Sequence, residues 1–231
     1  MTFAAFVQSV GGFGFALMAV PLAAIAVDLP TAVVVVSIGA LFNVVILCWR
    51  TRHEVDRGLA IRFNVPAVLG MPFGLMILTN VDQRSLKIAL GVVIIVATIA
   101  LLRGWSSLKP SVAMDVIAGA TSGVLSTATG TNGPPLVIAS QIRRLAAPVF
   151  RATLAFSFAV SGAITLVLYV VAGLVTRREV MLASAAVPLI LFGQFLGLKL
   201  QTWFAGSRFD RLVSLLLLAS GVSVGVSGVW G

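Results

Sequence analysis

The chain has 231 residues, of which 59% are hydrophobic and 10% charged, with 16 Lys and Arg against 7 Asp and Glu, a net charge of +9 and a mean hydropathy of +1.11. Soluble globular domains carry about 25% charged residues, so this composition excludes a soluble domain and puts the chain in a bilayer. The single Cys48 and single His53 exclude a disulfide framework and a Cys/His metal cluster, so no metal or cofactor is expected.

In chain order, the first element is Met1 to Val27, an uncharged stretch with glycines at 11, 12 and 14. It is too long for one untilted crossing of a ~30 Å core, which takes about 20 residues, and too short for two. It lacks the basic n-region of a cleavable signal, so Met1 onward is read as mature protein. Thr31 to Trp49, Leu59 to Thr79 and Leu86 to Leu102 are then predicted to span. Val116 to Ile142 is a second long uncharged stretch. Between Thr127 and Pro135 it holds two glycines, two prolines, three threonines and an asparagine. Three more predicted spans follow: Ala152 to Val175, Val180 to Leu198 and Leu212 to Gly231.

The two broken stretches match at an offset of 119, pairing Gly11 with Gly130, Gly14 with Gly133 and Leu17 with Leu136. Further on the offset drifts to 122 and 123: Val65-Pro66 matches Val187-Pro188, Gly70 matches Gly193 and Gly74 matches Gly197. An ordered series of this kind points to a duplication. The expected fold is an all-α polytopic membrane protein of two repeats, residues 1–110 and 111–231, each a broken or re-entrant segment plus three transmembrane helices. The glycine pairs Gly70/Gly74 and Gly193/Gly197 are expected to serve close helix packing.

Charge separates two topologies. If the broken segments cross the membrane, the basic residues divide evenly between its sides and give no orientation. If each re-enters, twelve fall on one face (Arg50, Arg52, Arg57, Arg62, Arg103, Lys109, Arg143, Arg144, Arg151, Lys199, Arg208 and Arg211). Only Arg84, Lys87, Arg177 and Arg178 face the other way. The positive-inside rule then places the basic face in the cytoplasm. The re-entrant arrangement is favoured, and it makes the repeats inverted, as in many transporters. Basic residues in such loops set orientation, so nucleic acid is not an expected partner.

Backbone leaves a helix at membrane depth only where it is buried in protein or lines a polar cavity. After each break a new half-helix begins, near Phe15 and near Pro134, with free N–H groups and a partial positive charge. Gly12, Phe13 and Gly14 in the first break, and Thr129, Gly130, Thr131, Asn132, Gly133 and Pro134 in the second, therefore form a candidate site for a small anion. Asn43 and Gln194, each in an apolar span, are added as hydrogen-bonding candidates, and Arg151 as a cation that attracts substrate. Gln8 and Ser9 are weaker candidates.

At these residues the chain resembles the TauE/SafE family of sulfite-exporter-like membrane proteins. "GGFGFALMAVPL" (Gly11 to Leu22) and "GTNGPPLVIAS" (Gly130 to Ser140) look like its two glycine-rich repeat motifs, and "VFRATLAFSF" (Val149 to Phe158) is similar to the arginine-bearing start of its next helix. Asn132 departs from the glycine common there. The resemblance implies a multi-pass permease of a bacterial inner membrane that exports small sulfur oxyanions or organosulfonates such as sulfite or sulfoacetate.

The carboxylates all lie at or near span ends, so potential-driven export without an intramembrane proton carrier is expected, with Asp115 the residue to watch. No nucleophile and base, and no carboxylate pair, stand together at depth, so an enzyme is not expected. Another small anion, or import of a sulfur compound, is the alternative, and a homodimer is compatible with the sequence.

Overall fold

The computed structural model describes residues 1–103 and 109–204, together with Val222 and Val226. The helices are α1 (Thr2–Gly11), α2 (Phe15–Ala23), α3 (Leu29–Thr51), α4 (Arg57–Asn80), α5 (Gln83–Arg103), α6 (Val112–Thr129), α7 (Gly133–Ile142), α8 (Ala147–Val171) and α9 (Arg177–Phe204). No strand occurs among the described residues. Leu29–Glu54, Arg57–Asn80, Val112–Thr129, Ala147–Val171 and Arg177–Leu200 are each long and apolar enough to cross a membrane, and α5 covers the span expected at Leu86 to Leu102. The chain is an all-α polytopic membrane protein. The span expected at Leu212 to Gly231 lies outside the described residues, Val222 and Val226 apart.

Polar side chains cap the spans and fix where they begin. Asp28 accepts the Thr31 N–H at 3.0 Å, with Pro30 in the first turn of α3, and Asp56 accepts the Leu59 N–H at 3.0 Å. At α9, Glu179 accepts the Thr176 N–H at 2.9 Å while the Thr176 hydroxyl accepts the Arg178 N–H at 3.2 Å. Each arrangement satisfies donors that a helix start leaves open. Two of the caps also join spans: the Thr153 hydroxyl of α8 accepts the Asp56 N–H at 3.0 Å, and the Thr31 hydroxyl of α3 donates to Glu179 at 3.3 Å.

These contacts define two faces. The end of α3 and the starts of α4 and α8 share one, and the starts of α3 and α9 share the other. The second broken segment enters and leaves by the first face. Arg143, closing α7, bonds Asp115 near the start of α6 through Nε at 2.8 Å and Nη2 at 2.5 Å, and Arg62 of α4 approaches the same carboxylate at 3.7 Å. Residues 112–142 are therefore a helical hairpin.

Two glycine seams hold the hairpins. A Cβ on Gly74 would lie 2.0 Å from the Val124 carbonyl oxygen, and one on Gly123 would lie 1.9 Å from that of Ala67. So α4 and α6 run parallel with their backbones touching, and the Thr127 hydroxyl donates across to the Met71 carbonyl at 2.6 Å. Lipid gives helices no hydrophobic reason to associate, which leaves this close packing and hydrogen bonding to do it. The other seam is built alike: a Cβ on Gly193 would meet the Thr2 carbonyl at 2.1 Å, and one on Gly197 would meet Ser9 Cβ at 2.6 Å. Here α1 runs parallel to α9, away from the face where α9 starts, and α2 leads back toward Asp28 on that face. The two hairpins thus open to opposite faces.

The register at the breaks differs by one residue from the sequence match. Gly12 (φ 82°) closes α1 and Gly130 (φ 69°) closes α6, while Phe15 and Gly133 open α2 and α7. Both pairs are 118 apart, so Gly12, not Gly11, corresponds to Gly130. A left-handed residue is needed to end each helix, and only glycine takes that conformation at no steric cost. Asn132 then corresponds to Gly14. Its φ is −80° against 105° for Gly14, so an asparagine fits without strain where the first break requires glycine.

Candidate functional site

Between the two breaks lies a cavity of about 50 Å³, against the ~10–15 Å³ that one water needs. The first break contributes Gln8, Gly14, Phe15, Ala16 and Leu17, and the second contributes Ser126, Gly130, Thr131, Asn132 and Gly133. Ser37, Ala40, Leu41 and Val44 of α3 and Phe158, Gly162 and Thr165 of α8 complete the wall, and no charged side chain among the described residues lines it.

The donors come from two sources. The first N–H to bond within α2 is that of Met18, to the Gly14 carbonyl at 3.2 Å. This leaves the N–H groups of Phe15, Ala16 and Leu17 as the open donors of a helix start. At α7, Pro134 and Pro135 carry no N–H, so within residues 133–135 only Gly133 offers one. Hydroxyls supply what is missing. Ser126 and Thr165 bond each other at 2.8 Å, and of two hydroxyl hydrogens that bond uses one, so the other is left for a ligand.

A helix end beside an anion site is a hazard, because its last carbonyls carry negative charge. In α6 those of Leu125, Ser126 and Thr127 are occupied. Ser126 O accepts the Gly130 N–H at 3.1 Å, Leu125 O accepts the Thr131 N–H at 3.3 Å and the Thr129 hydroxyl at 3.0 Å, and Thr127 O accepts the Tyr169 hydroxyl at 2.8 Å. Tyr169 is fully buried in α8 and is the sole tyrosine of the chain. Sequence reasoning passed over it; a lone phenol deep in an apolar span was the signal, since a buried Tyr hydroxyl needs a partner.

Of the residues expected at the site, Gly14, Gly130, Thr131, Asn132 and Gly133 meet at the cavity. Thr129 stands one step behind, its hydroxyl 2.7 Å from that of Thr131. Asn132 also ties the second break to α8, donating to the Ser161 hydroxyl at 2.8 Å. Phe13 and Pro134 do not line the cavity, although Phe13 Cβ lies 3.9 Å from where a Gly133 Cβ would be. Asn43 and Gln194 are buried and joined, the Gln194 amide donating to the Asn43 carbonyl oxygen at 2.7 Å, outside the lining. Ser37 and Thr165 line the cavity without having been singled out, because one hydroxyl in an apolar span carries little signal.

Gly12 and Arg151 belong to the other side of the first break. The Arg151 Cγ lies 3.0 Å from the position of a Gly12 Cβ. Arg151 lines a second cavity of about 280 Å³ with Ser9, Arg50, Thr51 and Glu54, on the face where α3 ends and α8 begins. Ser9 and Gln8, neighbours on α1, thus face the wide basic chamber and the narrow neutral one respectively. Among the described residues, no group of three or more His, Cys, Asp and Glu side chains is placed to hold a metal ion.

Among known proteins, the family model described as sulfite exporter TauE/SafE matches residues 1–224 of the chain. No curated protein and no solved structure matches it.

Proposed function

The chain belongs to the sulfite exporter TauE/SafE family, and from that premise we propose that it exports a small sulfur oxyanion from a bacterial cytoplasm across the inner membrane, as a transporter and not a catalyst. The observation that carries this reading is the neutral, donor-rich cavity enclosed by both helix breaks. Open backbone N–H groups at a helix start and an unspent hydroxyl hydrogen favour an anion. Residues 1–110 and 111–231 act as two repeats around this site, their hairpins opening to opposite faces, which is the arrangement alternating access requires.

Charge and size narrow the cargo. Desolvation cost grows with the square of the charge, and partial charges on amides and hydroxyls offset it for a singly charged ion better than for a dianion. A cavity of about 50 Å³ suits a compact inorganic oxyanion such as hydrogensulfite ahead of sulfoacetate with its carbon arm. The basic chamber at Arg50 and Arg151 gathers anions on the cytoplasmic side. The membrane potential drives them outward, at about 2.3 kcal/mol per charge per 100 mV, a bias of roughly fortyfold.

Purified protein in proteoliposomes tests this with a panel of sulfite, sulfate, thiosulfate, sulfoacetate and carboxylate competitors. Sulfite flux should follow an imposed potassium-diffusion potential and outcompete the dianion sulfate. Thr165→Val and Asn132→Ala should each raise the KM for sulfite about tenfold, the cost of one hydrogen bond to a charged group. Unchanged uptake in both variants sinks the site, and flux that needs a pH gradient at zero potential replaces simple export with proton coupling.

A further inference from the structure

Three carboxamides from three helices meet beside the cavity, and only one of them reaches it. Gln8, in the last turn of α1, lines the cavity and is 5% exposed; Asn43 of α3 and Gln194 of α9 are 1% and 3% exposed and lie behind it. The Asn43 side-chain nitrogen donates to Gln8 Oε1 at 3.3 Å, and the Gln194 nitrogen donates to the Asn43 backbone carbonyl at 2.7 Å.

The chemistry of a carboxamide makes this directional. Its oxygen accepts, its nitrogen donates, and the two point opposite ways from one carbon. With its oxygen turned to Asn43, Gln8 turns its NH2 away from Asn43. Among the described residues that nitrogen has no acceptor. A donor facing the cavity gains from an acceptor placed there, and the cavity that Gln8 lines is where one can be found.

We propose that Gln8 is a substrate-contacting residue whose NH2 group donates to the bound oxyanion, and that Asn43, held at its backbone by Gln194, is the positioning residue that keeps this donor facing the cavity. This rests on the reading of the cavity as the anion site and names one of its specificity determinants. A Gln8 turned the other way would present a carbonyl oxygen and repel the same cargo. The arrangement also makes the site depend on three elements at once, since α1, α3 and α9 must stand in register for the amide to point inward.

The test is sulfite transport by the full chain in proteoliposomes, with KM and kcat separated. Gln8→Leu should raise KM about tenfold or more, and Gln8→Glu, close in shape but acceptor-only when ionised, should abolish transport while the protein stays monodisperse in detergent. Asn43→Leu should raise KM in the wild-type background and add nothing in the Gln8→Leu background, because its effect passes through Gln8. Gln8→Leu or Gln8→Glu that transports with an unchanged KM overturns the contact. An Asn43→Leu effect of equal size in both backgrounds overturns the positioning role. If Thr165→Val and Asn132→Ala raise KM and the Gln8 variants do not, this inference alone fails. If all are silent, or wild-type protein moves no sulfur oxyanion, the cavity reading fails with it.

Discussion

At the first break the cavity's donors are backbone groups, the N–H of Phe15, Ala16 and Leu17 at the start of α2. At the second, Pro134 and Pro135 remove two of the corresponding groups, and the hydroxyl pair of Ser126 and Thr165 stands in their place. The closing turns differ in the same sense. The Leu125, Ser126 and Thr127 carbonyls near the end of α6 are taken up by Tyr169 and by the break's own N–H and hydroxyl groups, whereas α1 ends against the stem of Arg151. One backbone plan, a left-handed glycine followed by a new helix start, is thus completed once by main chain and a cation, and once by side chains. The difference teaches that the plan supplies direction and the local residues supply the chemistry.

The hairpin seams give the largest expected effect. Gly74→Val should prevent assembly, because the added carbons meet the Val124 backbone carbonyl at 2.0 Å and a backbone cannot move aside, at a cost of about 3 kcal/mol or more. Gly197→Val should cost less, since its nearest neighbours, Ser9 Cβ at 2.6 Å and the Phe6 carbonyl oxygen at 2.8 Å, stand farther off than the 2.0 Å at Gly74. The yield of monodisperse protein in detergent ranks the two, and equal yields would erase the distinction between the seams.

Arg143→Leu probes a feature seen only in the second hairpin. Asp115 is fully buried, and removing its close partner leaves it with Arg62 at 3.7 Å. A loss of about 3 kcal/mol is expected, read as a lower thermal midpoint and as new proteolysis near 111–143. Replacing both partners, Asp115→Leu with Arg143→Leu, should recover much of it. A double variant as unstable as the single one would show that the pair does not act as a unit.

The smallest effect separates the closing glycines. Gly12→Ala and Gly130→Ala both force a left-handed residue, costing about 1 kcal/mol. At Gly12 the new methyl also meets the Arg151 stem at 3.0 Å, while at Gly130 its nearest neighbour is Ser37 Oγ at 3.4 Å. Gly12→Ala should therefore have the lower thermal midpoint. The reverse order would move the tighter site to the second break.

Much of this was legible beforehand for a definite reason. A bilayer punishes unsatisfied backbone, so a run such as GTNGPP within an apolar stretch announces a break as plainly as twenty apolar residues announce a span. The glycine pairs at 70/74 and 193/197 likewise foretold close seams. What stayed hidden was lateral. Nothing in the string says that Asn43 lies behind Gln8, that Tyr169 covers the end of α6, or that Arg151 and Gly12 face a different chamber from Gly14. Even the register of the match was off by one, because adjacent glycines 11 and 12 are indistinguishable until a helix ends at one of them.

By itself, then, the sequence determined the membrane class, the spans among the described residues and the two breaks, all properties set by local composition against lipid. The tertiary structure alone decided which polar groups are spent on one another and which are left for a ligand. Hydrogen-bond partners 29 to 151 residues apart are chosen by how helices pack, and packing is a property of surfaces that no single segment carries.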